Sequence, residues 1–204
     1  MITVIDYGIG NTRAFINIYE RLHIPVKVAS NIQDLQNAEK LILPGVGSFD
    51  FAMKNLEESG MKQTLNQLVL EAEIPVLGVC LGMQLMAESS EEGSCEGLGW
   101  IKGKVKKIDT EKVPHQSKLP HMGWNEVRFV KENALLNGLE KNSLFYFLHS
   151  YYIDCHEDNE ILGISEFAGS FASAVNTGNI YGTQFHPEKS HSNGEKLLFN
   201  FAKL

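Results

Sequence analysis

The stretch Pro75-Val76-Leu77-Gly78-Val79-Cys80-Leu81-Gly82-Met83-Gln84 decides how this chain is read. Its first half is a short apolar run, Val76, Leu77 and Val79 around Gly78, the pattern of a strand buried on both faces. Its second half opens the segment Leu81–Glu88, which has helical spacing. Cys80 therefore sits at a strand-to-helix junction between Gly78 and Gly82, the cysteine counterpart of a nucleophile elbow. A sharp turn of that kind pushes one side chain out at the carboxyl edge of a sheet, and flanking glycines remove the side chains that would clash. The thiol also stands at a helix N-terminus, whose partial positive charge favours thiolate. The alternative is a buried cysteine that only packs; that is the reading adopted for Cys95 and Cys155, which lack such a setting.

Upstream, strands alternate with helices. Ile2–Asp6, Val26–Ala29 and Leu41–Leu43 read as strands; Thr12–Leu22, Asp50–Leu56 and Met61–Glu71 read as helices. This alternation predicts a largely parallel sheet covered on both faces. Downstream of about Gly99, β-like segments dominate: Val105–Ile108, Glu126–Val130, Leu144–Leu148, Glu160–Glu166, Ser170–Asn176 and Ile180–Phe185. Thr177-Gly178-Asn179 is the turn between the last two, and Gly194–Lys203 closes the chain as an amphipathic helix. The expectation is one α/β domain over residues 1–204, a central mostly parallel sheet flanked by helices, with an antiparallel β extension.

With 204 residues and 43% hydrophobic content the chain can bury a sizeable core. A net charge of −7 and no run of Lys or Arg make nucleic acid and anionic membrane poor partners. The first residues do not form a signal peptide, and no apolar stretch approaches the ~20 residues that span a bilayer. Three scattered cysteines without a CxxC pair argue against a disulfide framework and a structural zinc site. Together these point to a cytoplasmic, or similarly reducing, setting with no metal and no cofactor.

Gln184-Phe185-His186-Pro187-Glu188 follows a strand. Pro187 biases His186 toward extended backbone, and two residues apart on such a segment His186 and Glu188 share a side. A carboxylate there can fix the imidazole tautomer and leave the other nitrogen free to take a proton from Cys80. The other histidines (His23, His115, His121, His149, His156 and His191) have weaker cases for catalysis. Pro44-Gly45-Val46-Gly47-Ser48 is a glycine-rich loop after a strand, able to aim the Val46 amide at a developing oxyanion; the Leu81 amide is the natural second donor. The bland alternative is a tight loop. Gly8-Ile9-Gly10-Asn11 invites a dinucleotide reading, but Arg13 stands where the third glycine is needed, and no phosphate loop is present.

These motifs resemble the class I, or triad, glutamine amidotransferases. Gly78–Gln84 is similar to their nucleophile motif and His186-Pro187-Glu188 to their His-Pro-Glu motif. Within the class the likeness is closest to the glutaminase subunits of imidazole glycerol phosphate synthases. It is carried by Tyr7–Asn11, Pro44–Phe49, Pro120-His121-Met122-Gly123-Trp124-Asn125 and Phe185–Ser190, and runs nearly end to end. The resemblance implies a flavodoxin-like fold and hydrolysis of L-glutamine through a Cys80 thioester. Gln84, Glu92 and Tyr151 would hold the substrate's amino-acid end, with Gly47 and Ser150 as backbone contacts. Glu92 has an alternative as one member of a solvated acidic run. The resemblance also implies a partner, a cyclase subunit of (β/α)₈ barrel fold in a heterodimer. Pro120, His121, Met122, Trp124 and Lys189 would lie toward it, with Gly10 and Asn11 near the same face. A glutaminase serving another synthase, a stand-alone cysteine hydrolase and a scaffold with a dead site are the competing readings.

Overall fold

The computed structural model describes residues 1–112 and 119–204; His115 lies outside them. In chain order the elements are β1 (Ile2–Ile5), α1 (Thr12–Arg21), β2 (Val26–Ala29), β3 (Lys40–Gly45), α2 (Phe49–Glu58), α3 (Lys62–Asn66), β4 (Val76–Cys80) and α4 (Leu81–Leu85). Then follow β5 (Ser89–Ser90), β6 (Gly103–Lys107), β7 (His121–Phe129), β8 (Asn142–His149), β9 (Tyr151–Cys155), β10 (Ile161–Glu166), β11 (Ser170–Thr177), β12 (Ile180–Thr183) and α5 (His191–Lys203). A nine-stranded sheet has the order β2-β1-β3-β4-β12-β11-β10-β7-β8. Its first five strands pair in parallel and the rest in antiparallel fashion.

The parallel half is buried on both faces, and its strands say so. Along β3, Leu41 and Leu43 join one apolar cluster while Ile42 joins the other, the period-2 alternation of a strand. Helices α2 and α3 cover the first face through Phe49, Met53, Leu56 and Leu65. Helices α1 and α5 cover the second. Asn11 caps α1 by accepting from the Ala14 amide at 3.2 Å, and Phe15, Ile18 and Tyr19 turn one stripe inward. From α5, Leu197, Leu198 and Phe201 are buried, each contributing about 1.5–3 kcal/mol relative to exposure.

Four expectations need correction. The helix after Cys80 stops at Leu85 instead of reaching Glu88, because the Glu88 amide is drawn to the Gly103 carbonyl and the chain enters a second sheet. That sheet, β5-β6-β9, was not foreseen; β5 is only two residues long. Strand β7 begins at His121, not Glu126, so the whole His-Met-Gly-Trp-Asn segment is paired with β8. Strand β12 ends at Thr183, short of Phe185. Among the described residues no helix is long and apolar enough to cross a membrane.

Register fixes the functional edge. Gly45 at the end of β3 lies beside Cys80 at the end of β4, and Thr183 of β12 lies beside Val79. The loops after β3 and β12 thus flank the thiol at the carboxyl edge of the parallel sheet, where open α/β sheets bind ligands. Helix α4 packs directly on β3: a methyl group on Gly82 would stand 1.8 Å from the Leu43 carbonyl oxygen. Gly82→Ala is therefore expected to lower unfolding free energy by at least ~1–3 kcal/mol, read from urea denaturation.

Candidate active site

Cys80 has φ 55° and ψ −112°, backbone that non-glycine side chains adopt rarely and at a cost of about 1–3 kcal/mol. The flanking glycines make the turn possible. A Cβ on Gly78 would meet the Met83 backbone at 2.8 Å, and one on Gly45 would meet the Gly82 nitrogen at 2.6 Å. The residue is buried, 6% exposed. Its sulfur stands 3.7 Å from the Leu148 carbonyl oxygen and 3.7 Å from Nε2 of Gln184.

His186 follows β12 and is held by its backbone: its amide donates to the Tyr146 carbonyl at 2.8 Å. Its Nδ1 lies 2.7 Å from Oε1 of Glu188, and both side chains are 3% exposed. The pair does not lie along an extended strand as expected. Pro187–Lys189 forms one 3₁₀ turn that brings the carboxylate back beneath the ring. Ser190 locks the turn, its hydroxyl donating to the His186 carbonyl at 2.6 Å and accepting from the Tyr146 amide at 2.9 Å. Among the described residues, the buried Nε2 of His186 has no hydrogen-bond partner of ordinary geometry. Burial opposes charge on this ring, but Cys80 and Glu188 beside it favour the imidazolium and raise its pKa to about 10.

Between these elements lies a cavity of about 260 Å³. It is lined by Cys80 and His186, by Val46, Gly47 and Leu81, and by the polar residues Gln84, Glu92, Ser150 and Tyr151, together with Pro120, Leu148 and His149. Of the residues expected to act on or hold substrate, all but Glu188 line this cavity, and Glu188 is joined to it through His186. Gln84 is buried, and its Nε2 donates to the Tyr151 carbonyl at 2.9 Å and to Oε1 of Gln184 at 3.0 Å. Glu92 is not a free member of an acidic run: Oε2 accepts from the Phe49 amide at 2.8 Å, at the first turn of α2. Gly47 has φ +109°, with open space where a side chain would be, and Val46 is exposed.

The residues expected toward a partner separate into two groups. Met122 and Trp124 are 66% and 47% exposed on the outer side of β7, with Leu144 also bare on β8. Trp124 stacks on His191, and Lys189 sits over the Tyr146 ring. Pro120 and Asn11 are exposed and Gly10 half-buried, its α-carbon side packed toward Pro44. His121 departs from expectation. Strand alternation turns it inward, where it is 5% exposed between the rings of Phe147 and Phe167. Sequence reasoning also gave His149 and Gln184 no part in the site. The signal for His149 was its place one residue before Ser150-Tyr151 at the end of an apolar strand. Cys95 and Cys155 stand elsewhere; burial pushes the Cys155 thiol up to about 12.

The sequence matches the family Glutamine amidotransferase class-I over residues 3–204. The fold agrees: PurLQS from Thermotoga maritima superposes with a TM-score of 0.75 at 16% identity, covering 99% of this chain and 97% of that one. Another glutamine amidotransferase superposes at 0.74 and 18% identity, with 100% of both chains covered. An imidazole glycerol phosphate synthase subunit HisH from Leptospira borgpetersenii is 52% identical over the full length of both chains. A HisH 2 protein from Methanococcus maripaludis is 47% identical, covering 100% of this chain and 99% of its own. The chain belongs to the class-I glutamine amidotransferases, and within them to the HisH subunits of imidazole glycerol phosphate synthase.

Ser190 carries two hydrogen bonds that set the height of His186. Ser190→Ala leaves the half-buried Tyr146 amide without its acceptor, and unfolding free energy is expected to fall by about 0.5–1.5 kcal/mol, measured by urea denaturation with Ser190→Thr as the hydroxyl-retaining control.

Proposed function

We propose that this chain hydrolyses L-glutamine to L-glutamate and ammonia in histidine biosynthesis, with Cys80, His186 and Glu188 as the reacting and orienting groups. The observation that carries the reading is the single cavity shared by the elbow cysteine, the imidazole and a set of polar groups suited to an amino acid. Cys80 passes its thiol proton to Nε2 of His186, and its sulfur attacks the side-chain amide carbon. The tetrahedral oxyanion falls between the Val46 and Leu81 amides. The C–N bond breaks as His186 gives its proton to the departing nitrogen, and ammonia leaves a glutamyl thioester. Water then attacks the thioester carbon, His186 takes its proton, and the C–S bond breaks to release glutamate. Glu188 accepts from Nδ1 throughout, holding the ring and favouring its charged form. Glu92 faces the substrate's α-ammonium, Gln84 and Tyr151 its amino-acid end, and Gly47 and Ser150 supply backbone contacts.

Ammonia that escaped to water would be protonated and lose its nucleophilicity, so the product needs a sheltered acceptor. The bare Met122, Trp124 and Leu144 side chains on the outer side of β7 and β8 support a docking face for a (β/α)₈ barrel cyclase subunit, which uses the ammonia to form imidazole glycerol phosphate and an aminoimidazole carboxamide ribonucleotide. Gly10, Asn11, Pro120 and Lys189 border that face; His121 supports it from beneath. Cys80→Ala is expected to abolish glutamine-dependent turnover while the complex still uses added ammonium salts. Persistence of glutamine-dependent activity in that variant sinks the assignment.

Gly45-Val46-Gly47 acts in this reading as a switch between a carbonyl-in and an amide-in orientation, a peptide flip that two glycines make sterically cheap. Loss of one oxyanion donor slows catalysis about a hundred- to a thousandfold, enough to hold waste in check until the partner binds its own ligand. Glutamine hydrolysis should rise in steps from the isolated subunit, to the complex, to the complex with cyclase ligand. Equal rates in all three states would remove the switch.

A further inference from the structure

The mechanism above leaves unused a chain of polar groups that runs from β7 to the cavity, with His121 and His149 buried within it. Asn125 Nδ2 lies 3.2 Å from Nε2 of His121, His121 Nδ1 lies 2.9 Å from Nε2 of His149, and His149 Nδ1 lies 2.8 Å from the Tyr151 carbonyl oxygen. Its polarity is dictated from both ends. A carbonyl oxygen only accepts, so His149 carries its proton on Nδ1 and its Nε2 accepts. His121 must then donate from Nδ1, which leaves its Nε2 to accept from Asn125. The Asn125 amide cannot be reversed: Nδ2 also donates to the Glu166 carbonyl at 3.0 Å, and Oδ1 accepts from the Glu126 amide at 2.8 Å. Both imidazoles are thus neutral and held as the Nδ1–H tautomer. Their surroundings agree. His121 is stacked between Phe147 and Phe167, and His149 lies against Phe147 and Phe171; burial lowers the two pKa values to about 4 and about 3.

The chain ends at a point that matters for substrate. The Tyr151 carbonyl receives both His149 and Gln84, and Gln84 in turn reaches Gln184, which approaches the Cys80 sulfur. The Ser150 carbonyl is separately bound by the Ile108 amide. At its other end the chain is rooted in β7, whose alternate residues Met122 and Trp124 are bare on the opposite side.

We infer that the His121–His149 pair is a positioning device: it fixes the Ser150–Tyr151 backbone that forms one wall of the substrate cavity, and ties that wall to the strand carrying the exposed Met122–Trp124 face. The inference rests on the reading of the cavity as a glutamine site. Neither histidine touches the reacting atoms; each acts through the Tyr151 carbonyl.

The test has two arms, both on the full-length protein. In the first, ¹⁵N-labelled histidine is observed by NMR near neutral pH. Both rings are expected as neutral Nδ1–H tautomers, and an Nε2–H tautomer or an imidazolium at either position overturns the inference. In the second, Cys80 is alkylated by a glutamine-like chloroketone and by iodoacetamide. His121→Phe keeps the ring stack and removes the donor to His149. Its chloroketone rate should fall about tenfold, the value of one buried hydrogen bond, while its iodoacetamide rate stays within about twofold. His121→Asn can place an amide donor where Nδ1 stands and should recover most of the loss. Unchanged chloroketone labelling in His121→Phe, or an equal loss with both reagents, overturns the proposal. Wild-type protein that reacts with iodoacetamide but not with the chloroketone counts against the glutamine reading itself and removes this inference with it.

Discussion

Everything in the site depends on one close approach of backbones. Helix α4 lies so near β3 that only a hydrogen atom fits between the Gly82 α-carbon and the Leu43 carbonyl. That contact lets β4 turn into a helix within one residue, and the one residue is Cys80, held at positive φ. The strain at that position is local and small beside the apolar burial on both faces of the parallel sheet, which holds the turn closed. Because β3, β4 and β12 are in parallel register, the same junction decides where the Val46 loop and the His186 turn emerge.

Electrostatics then divides the histidines by environment. His186 is as buried as His149, yet the two are pushed in opposite directions. His186 has a carboxylate on one nitrogen and a sulfur near the other, so the charged ring is favoured despite desolvation. His149 is among phenylalanines, with a backbone carbonyl and a second imidazole as its partners, so burial dominates and the ring stays neutral. One imidazole is suited to moving protons and the other to holding position. The two line the same cavity, and the difference comes from what surrounds each ring, not from the residue type.

The antiparallel half of the sheet gives the site its outward connection. Strands β7 and β8 turn alternate residues to opposite sides, so one strand bears Met122 and Trp124 toward solvent and His121 and Asn125 toward the cavity wall. A protein seated on the outer side would press on the strand that roots the inner polar chain. Such a geometry needs no long-range wire: the two faces are one peptide thick.

The local chemistry was legible in the sequence. The glycines around Cys80, the His-Pro-Glu run and the alternation of apolar strands with amphipathic helices each have a short-range physical cause, so the elbow, the parallel core and the antiparallel extension could be read directly. What the sequence did not reveal depends on contacts between distant segments. Helix α4 ends early because Glu88 pairs with Gly103, a partner fifteen residues away. Strand β7 begins at His121 because β8 offers it a ladder, which the glycine and polar residues in His-Met-Gly-Trp-Asn disguise. Glu92 leaves the solvated acidic run because the first turn of α2 presents an unpaired amide. His121 and His149 become partners across a strand pair, and their tautomers are decided by a carbonyl and an asparagine that only tertiary folding brings to them. Spacing along the chain determined which groups could do chemistry; which nitrogen carries a proton, and which side chain faces a partner, was decided by the neighbours that folding supplied.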